Sequence, residues 1–186
     1  VMGALSRGIR AQAKRRHDRF AGGPPSAAVL DAMAGGGAQG RPLDAAYTAM
    51  QNRGFYDVTL KNFAMPWTNR DQTVFAPLND YVATVIGMVR DDVSFDRVLY
   101  DDILYVGRSG SGVPAYSSAS NDHFAALEAQ GVNLKDALVK TTQSSVNGLP
   151  PEATAGVMTS RAAAQAFFIA GTNRAMFRFT LMNHLC

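Results

Sequence analysis

The chain has 186 residues, 47% hydrophobic and 18% charged, which is enough for a domain with a real core and too apolar for disorder. One cysteine, Cys186, excludes a disulfide framework or a multi-cysteine zinc site within these residues, and no run reaches the roughly 18 apolar residues of a membrane-spanning helix. The net charge of +3 is uneven: six basic residues and one acid between Arg7 and Arg19 give a local +5, which leaves −2 for the rest and no nucleic-acid footprint on the body.

Val1-Met2-Gly3-Ala4-Leu5 reads as the end of a signal or anchor segment, or as an ordinary helix start. Residues 4–20 have helical propensity with basic side chains on most faces, and Gly22-Gly23-Pro24-Pro25 ends that segment. Such an arm can touch phosphates or anionic lipid, or simply be a solvated helix. Ser26 caps a short helix through Met33, with Gly35-Gly36-Gly37 expected to break it. Pro42 opens a helix running to about Asn52. Phe55 to Met65 follows mostly helical spacing, and Pro66 disfavours helix at Met65. Trp67 with Met65, Pro66, Phe63 and Phe75 is expected to form a core corner, a cofactor-contacting aromatic cluster being the alternative.

The clearest helix is Leu78 to Arg90, where Leu78, Tyr81, Val82, Val85, Ile86 and Val89 fall on one face. A short helix is predicted over Ser94 to Tyr100. Ile103 to Val106 is the one segment with strand character. Residues 107–120 are a loop rich in Gly and Ser. A helix from His123 to Gln130 closes at Gly131, and another is predicted over Leu134 to Thr141. Beyond the turn at Asn147-Gly148-Leu149-Pro150-Pro151 the pattern is helical again, divided at Gly171. In the last segment apolar residues surround the axis, which predicts a helix buried either at the centre of this domain or against protein beyond these residues. Cys186 then reads as a small core residue of that helix. No closing signal follows it, so the chain is expected to be part of a longer protein.

The fold class is therefore mostly α, an irregular multi-helix domain with many loops and at most one short strand or hairpin. Residues 1–23 are a basic N-terminal arm or the end of a signal or anchor segment. Residues 24–186 are a helical domain, incomplete at its C-terminus.

Motifs for chemistry are sparse. His17, His123 and His184 lie far apart, without HxxxH or HExxH spacing, and read as surface or helix-end residues. His184 and Cys186, two apart on a helix, make a poor metal pair. Asp91, Asp92, Asp101 and Asp102, with Asp96 between, can hold calcium or act as acid and base; helix-end and turn chemistry is the ordinary reading. Gly107-Arg108-Ser109-Gly110-Ser111-Gly112 lacks the GK[ST] ending of a phosphate loop, and no serine sits in GxSxG.

Several phrases follow one another in order. These are Phe55-Tyr56-Asp57-Val58-Thr59-Leu60, Pro66-Trp67-Thr68-Asn69, Leu78-Asn79-Asp80-Tyr81, Arg90 to Leu99, Asp102 to Val106, Ala155 to Ser160, and Thr172-Asn173-Arg174-Ala175-Met176-Phe177-Arg178. Over residues 55–186 the chain resembles uncharacterised exported bacterial proteins associated with c-type cytochrome domains. In those, a helical region precedes a haem-attachment CxxCH. This chain has no CxxCH, so the resemblance implies no cofactor within it, with haem c in a domain beyond Cys186 as its partner. It also implies a periplasmic location. Met158, Met176, Met182 and His184 are possible axial ligands, core packing being the ordinary role for the methionines. The expected function is a non-catalytic helical part of such a protein, supporting electron transfer. The alternatives are a cofactor-free helical binding or scaffold module, and a hydrolase built on Asp91, Asp92, Asp101 and Asp102.

Overall fold

The computed structural model describes residues 7–110, 112–171 and 174–185. The readings placed on Val1–Leu5, Ser111, Thr172, Asn173 and Cys186 lie outside them. The chain is mostly helical and forms two compact units that divide between Leu60 and Lys61. Among the described residues no helix is long and apolar enough to cross a membrane.

The first unit contains α1 (Arg7–Ala21), α2 (Ala27–Ala38), α3 (Pro42–Met50) and a π-helical stretch, Phe55–Leu60. The basic stretch is thus α1, whose Ala13, His17 and Ala21 are buried while most of its cations face outward. Ala13, Met33, Ala34, Ala45 and Ala49 form a core of small side chains, with Ile9, Phe20, Val29 and Leu30 packed against it. Such small residues let three helices approach closely. Ser26 caps α2 as expected, its hydroxyl accepting from Val29 N at 3.3 Å. Gly35-Gly36-Gly37 does not break the helix: α2 runs through it to Ala38, and a left-handed Gly40 follows. Tertiary packing overrides the glycines' low propensity.

The second unit is built around α5 (Asp80–Arg90), after the short α4 (Lys61–Ala64) and a 3₁₀ turn, Met65–Thr68. Asn79 caps α5 by accepting from Val82 N at 3.1 Å and donates to the Thr68 hydroxyl at 3.1 Å. Sequence periodicity assigns α5 one buried face, yet every residue from Asp80 to Met88 is buried. Ala83, Thr84 and Gly87 make the other sides narrow enough to be covered.

The cover is a two-stranded antiparallel sheet, β1 (Leu104–Gly107) with β2 (Leu138–Thr141), in register from Leu104 opposite Thr141 to Gly107 opposite Leu138. The predicted helix over 134–141 is instead a single turn, α7 (Leu134–Ala137), that leads into β2. Arg90 closes that turn, its guanidinium donating to the carbonyls of Lys135 at 2.9 Å and Leu138 at 2.6 Å.

Tyr105 of β1 lies directly on Gly87, and a Cβ at Gly87 would sit 2.1 Å from the Tyr105 ring. Gly87→Ala is expected to cost about 2–3 kcal/mol, since neither buried neighbour can retreat. Urea unfolding checks this, and most of the loss should vanish in a Tyr105→Leu background.

The rest of the unit comprises a 3₁₀ turn (Phe95–Leu99), α6 (Asp122–Ala129), α8 (Gln143–Asn147), α9 (Arg161–Ala163) continuing as a π-helical Ala164–Ile169, and α10 (Ala175–Thr180) continuing as Leu181–Leu185. The last segment is not the centre of this domain, the first of its two expected placements. Ala175 and Phe179 are buried, the latter stacked on Phe167 at 4.9 Å between ring centroids. Phe177, at 70% exposure, and Leu181, Met182 and Leu185 face outward.

Candidate functional site

The strongest polar feature of the second unit centres on Asp80, to which the sequence alone assigned no role. Its carboxylate is fully buried. Oδ1 accepts from Tyr81 N and Ala162 N, both at 3.0 Å. Oδ2 accepts from Arg161 N at 2.6 Å and from the Tyr116 hydroxyl at 3.3 Å. Ser160 accepts from Ala163 N at 3.2 Å, so the first N–H groups of α9 are all satisfied by side chains. Burial pushes the Asp80 carboxyl above the ordinary carboxylate range, while the backbone donors and the Arg161 charge pull it back. Arg161 donates to Asn121 Oδ1 at 2.9 Å, and Asn121 donates to Leu78 O at 2.7 Å. With every lone-pair direction engaged, Asp80 joins α5 to α9 and has no free base site.

Beside this junction lies a pocket of about 420 Å³ lined by Tyr116, Asn147, Thr159, Ser160, Arg161 and Gln165, among others. Behind Thr159 sits the buried Gln143. Its amide donates to Ile103 O at 3.1 Å and Gly156 O at 2.6 Å and accepts from the Thr159 hydroxyl at 2.9 Å. These groups tie the Gly156 turn to the end of β1.

The four aspartates are not gathered for shared chemistry. Asp91 takes the Arg90 guanidinium at 2.7 and 2.9 Å and the Tyr105 hydroxyl at 2.7 Å, and the Arg90 bonds hold it below the ordinary carboxylate range. Asp92 is an exposed turn residue with φ 52°. Asp96 accepts from Ser94 at 2.5 Å and from Tyr100 at 3.1 Å. Asp101 pairs with Arg97 at 3.6 Å. Asp102 receives the backbone N–H of Ser144 at 3.1 Å together with its hydroxyl, at the start of α8. The carboxylates of Asp91, Asp96, Asp101 and Asp102 thus serve separate turns or helix ends.

Two of the three histidines are not surface residues. His17 is buried in the first unit with Nδ1 2.7 Å from Gly23 O. His123 is buried in the second, with Nε2 accepting from Gly107 N at 2.8 Å and Nδ1 2.6 Å from Pro114 O, so the neutral Nδ1–H tautomer fits both partners. His184 is half-buried, with Nε2 2.7 Å from the Tyr81 hydroxyl. Its ring lies 5.3 Å from Trp67 and 6.4 Å from Tyr81, centroid to centroid. The expected core corner around Trp67 is therefore different in kind. Met65 is buried, Phe63 is exposed 4.8 Å from the Trp67 ring, and Phe75 is 91% exposed. The missing inner partner is His184, too far along the sequence for any local pattern to reveal. Met158 is buried, Met176 half-buried and Met182 exposed. Among the described residues no three His, Cys, Asp or Glu side chains are grouped to hold a metal ion.

Burial lowers the His184 pKa below its ordinary value of about 6.5. The folded state then binds fewer protons than the unfolded one as pH falls through that value, so this residue makes stability decline on acidification and leaves it unaffected at higher pH. Thermal melts between about pH 7.5 and about pH 5.5 should show a steeper decline for the wild type than for His184→Gln. Equal slopes would contradict the assignment.

No protein-family model, curated protein or solved structure matches the chain.

Proposed function

We propose that the chain is the non-catalytic helical part of an exported, c-type-cytochrome-associated protein and that it supports electron transfer. Its haem domain would follow residue 186, and the protein would act in the periplasm. One observation carries the reading: four of the phrases behind the resemblance, all in the second unit, are joined to one another. Leu78-Asn79-Asp80-Tyr81 reaches the segment after Ala155–Ser160 through the Asp80 carboxylate. Ala155–Ser160 in turn returns to the Arg90–Leu99 and Asp101–Asp102 region, with Val157 N donating to Val98 O at 2.8 Å and Gly156 N to Asp101 O at 3.1 Å. Asp102–Val106 lies over α5, where the Thr84 hydroxyl accepts from Tyr105 N at 3.2 Å. A set of phrases that builds a common frame is what a shared structural module requires. The role of each residue in that frame is support of the fold, consistent with a part that carries no reaction of its own.

A second reading, a cofactor-free helical binding or scaffold module, is favoured by the exposed apolar side chains of the last two helices, Phe168, Ile169, Phe177, Leu181, Met182 and Leu185. The aspartate-based hydrolase has no comparable support, because its carboxylates hold separate partners. The codons that follow Cys186 in the gene separate the first two readings. A CxxCH in that frame is expected; a remaining frame without one would overturn the haem reading and leave the scaffold.

A further inference from the structure

We infer that Tyr81, His184 and Trp67 form a proton-coupled hole-transfer site that exchanges single electrons with a high-potential one-electron metal oxidant. This rests on the proposed electron-transfer role only for the identity of the natural oxidant.

The chemistry follows from the geometry. Tyr81 is fully buried on α5, and its hydroxyl lies 2.7 Å from Nε2 of His184. A phenol hydroxyl can donate or accept, and the site uses the Nδ1–H tautomer of His184, in which Nε2 accepts the Tyr81 proton. Removing an electron from a buried tyrosine without moving its proton would leave a phenol cation in a low-dielectric site, at high cost. Here the proton has a base in contact. The oxidant takes one electron from Tyr81, the O–H bond breaks, and the proton forms an N–H bond at Nε2, which gives a neutral tyrosyl radical beside an imidazolium. Re-reduction returns the electron to the phenoxyl oxygen and the proton from Nε2, restoring the starting pair. Trp67 stands edge-on to His184 at 5.3 Å, and the exposed Phe63 meets it edge-on at 4.8 Å, so a series of neighbouring rings leads from the surface to Tyr81.

Three other tyrosines of this unit also donate to a base, and the comparison favours Tyr81. Tyr100 is exposed and donates to Asp96, which also takes the Ser94 hydroxyl. Tyr105 donates to Asp91, whose carboxylate is committed to Arg90. Tyr116 reaches Asp80 at 3.3 Å, and that carboxylate already accepts three N–H bonds. An unperturbed imidazole is a stronger base than a carboxylate by about 2–3 pK units; burial narrows that gap between His184 and Asp80, so against Tyr116 the comparison rests on the bonds that already occupy Asp80. The buried His123 is no substitute, since its Nε2 accepts from Gly107 N.

The test uses the full-length protein, pre-oxidised with ferricyanide and then oxidised by photogenerated tris(bipyridine)ruthenium(III), with radicals read by electron paramagnetic resonance in frozen samples. A tyrosyl signal is expected in the wild type and is lost in Tyr81→Phe. His184→Gln keeps an acceptor but not a base, and should form the radical about a hundredfold more slowly, the low end of what loss of a positioned base costs. Imidazole added to His184→Gly should restore the rate, which a purely structural role of His184 would not predict. An unchanged signal in Tyr81→Phe overturns the inference. If Tyr81→Phe does not fold, the histidine variants decide, and wild-type rates in His184→Gln overturn it equally. Because ruthenium supplies the oxidant, a missing radical leaves the haem reading standing, and a missing haem leaves this site standing.

Discussion

Asp80→Ala is expected to destabilise the protein by about 4 kcal/mol, within the range found when one partner of a buried charged network is removed. The cause is what the carboxylate leaves behind. Tyr81 N, Ala162 N and Arg161 N all donate to it at 3.0 Å or less. Each buried N–H deprived of its acceptor costs about 1–3 kcal/mol, and an alanine cavity is too small to admit enough water to replace two oxygens. Tyr116 loses its acceptor as well, but it is half-exposed and can turn to solvent. Asp80→Asn should cost less than alanine yet remain destabilising. It keeps one acceptor oxygen and sets an NH₂ group against the donors on the other side. Equilibrium urea unfolding at neutral pH measures all three proteins. Asp80→Asn matching or exceeding wild-type stability would show that the burial cost of the charge outweighs its hydrogen bonds.

Gly156→Ala is the second large effect, with an expected loss of about 3–4 kcal/mol. Gly156 has φ 52°, a left-handed conformation that costs an L-residue about 1–2 kcal/mol. Space is the larger problem. A Cβ there would lie 1.9 Å from Val98 O, 2.4 Å from Val98 C and 2.8 Å from Leu99 N. Those are backbone atoms, so relief requires the two segments to separate. Separation breaks the bonds from Val157 N to Val98 O and from Gly156 N to Asp101 O, and pulls Gly156 O away from Gln143. Gly110→Ala is the internal control. Its φ of 83° is also left-handed, but nothing lies within 4 Å of the added methyl, so only the conformational cost of about 1–2 kcal/mol remains. Similar losses at the two positions would contradict the close contact at Gly156.

The sequence made the local features legible and left the long-range ones hidden. Ser26 was readable as a cap because a cap bonds to backbone two or three residues away, whereas Asn79, placed inside the predicted Leu78–Arg90 helix, proves to be the cap of α5. The existence of α5 followed from its spacing, but its burial on all sides did not, because that depends on Tyr105 finding Gly87 across the fold. The glycines of α2 carry a local signal for a break that packing reverses. β2 failed for a related reason. Leu138-Val139-Lys140-Thr141 is only four residues long, and its strand character depends on a partner more than thirty positions away.

The final helix shows how composition alone misleads. Its apolar residues do surround the axis, but only the Ala175 and Phe179 side meets the core. At the level of the site, the conspicuous acids were the uninformative ones. Asp91, Asp96, Asp101 and Asp102 drew notice by clustering in sequence, and each serves its own turn or helix end. Asp80 stood one residue after a cap, where an acid is unremarkable. Only the arrival of α9, eighty positions later, gives it its role. His184 was weighed from the sequence only beside Cys186, as a poor metal pair, and as an axial ligand. Its partner is the Tyr81 hydroxyl, and no spacing rule connects them.

The central claim is that this helical module belongs to a protein bearing covalent haem. A pyridine haemochrome spectrum of the full-length protein, expressed in a host with a working cytochrome c maturation system, tests it most directly. The predicted result is a c-type haemochrome that survives acid–acetone extraction and disappears when the cysteines of the downstream CxxCH are replaced by serine. A full-length protein that is folded, exported and free of covalent haem would contradict the claim.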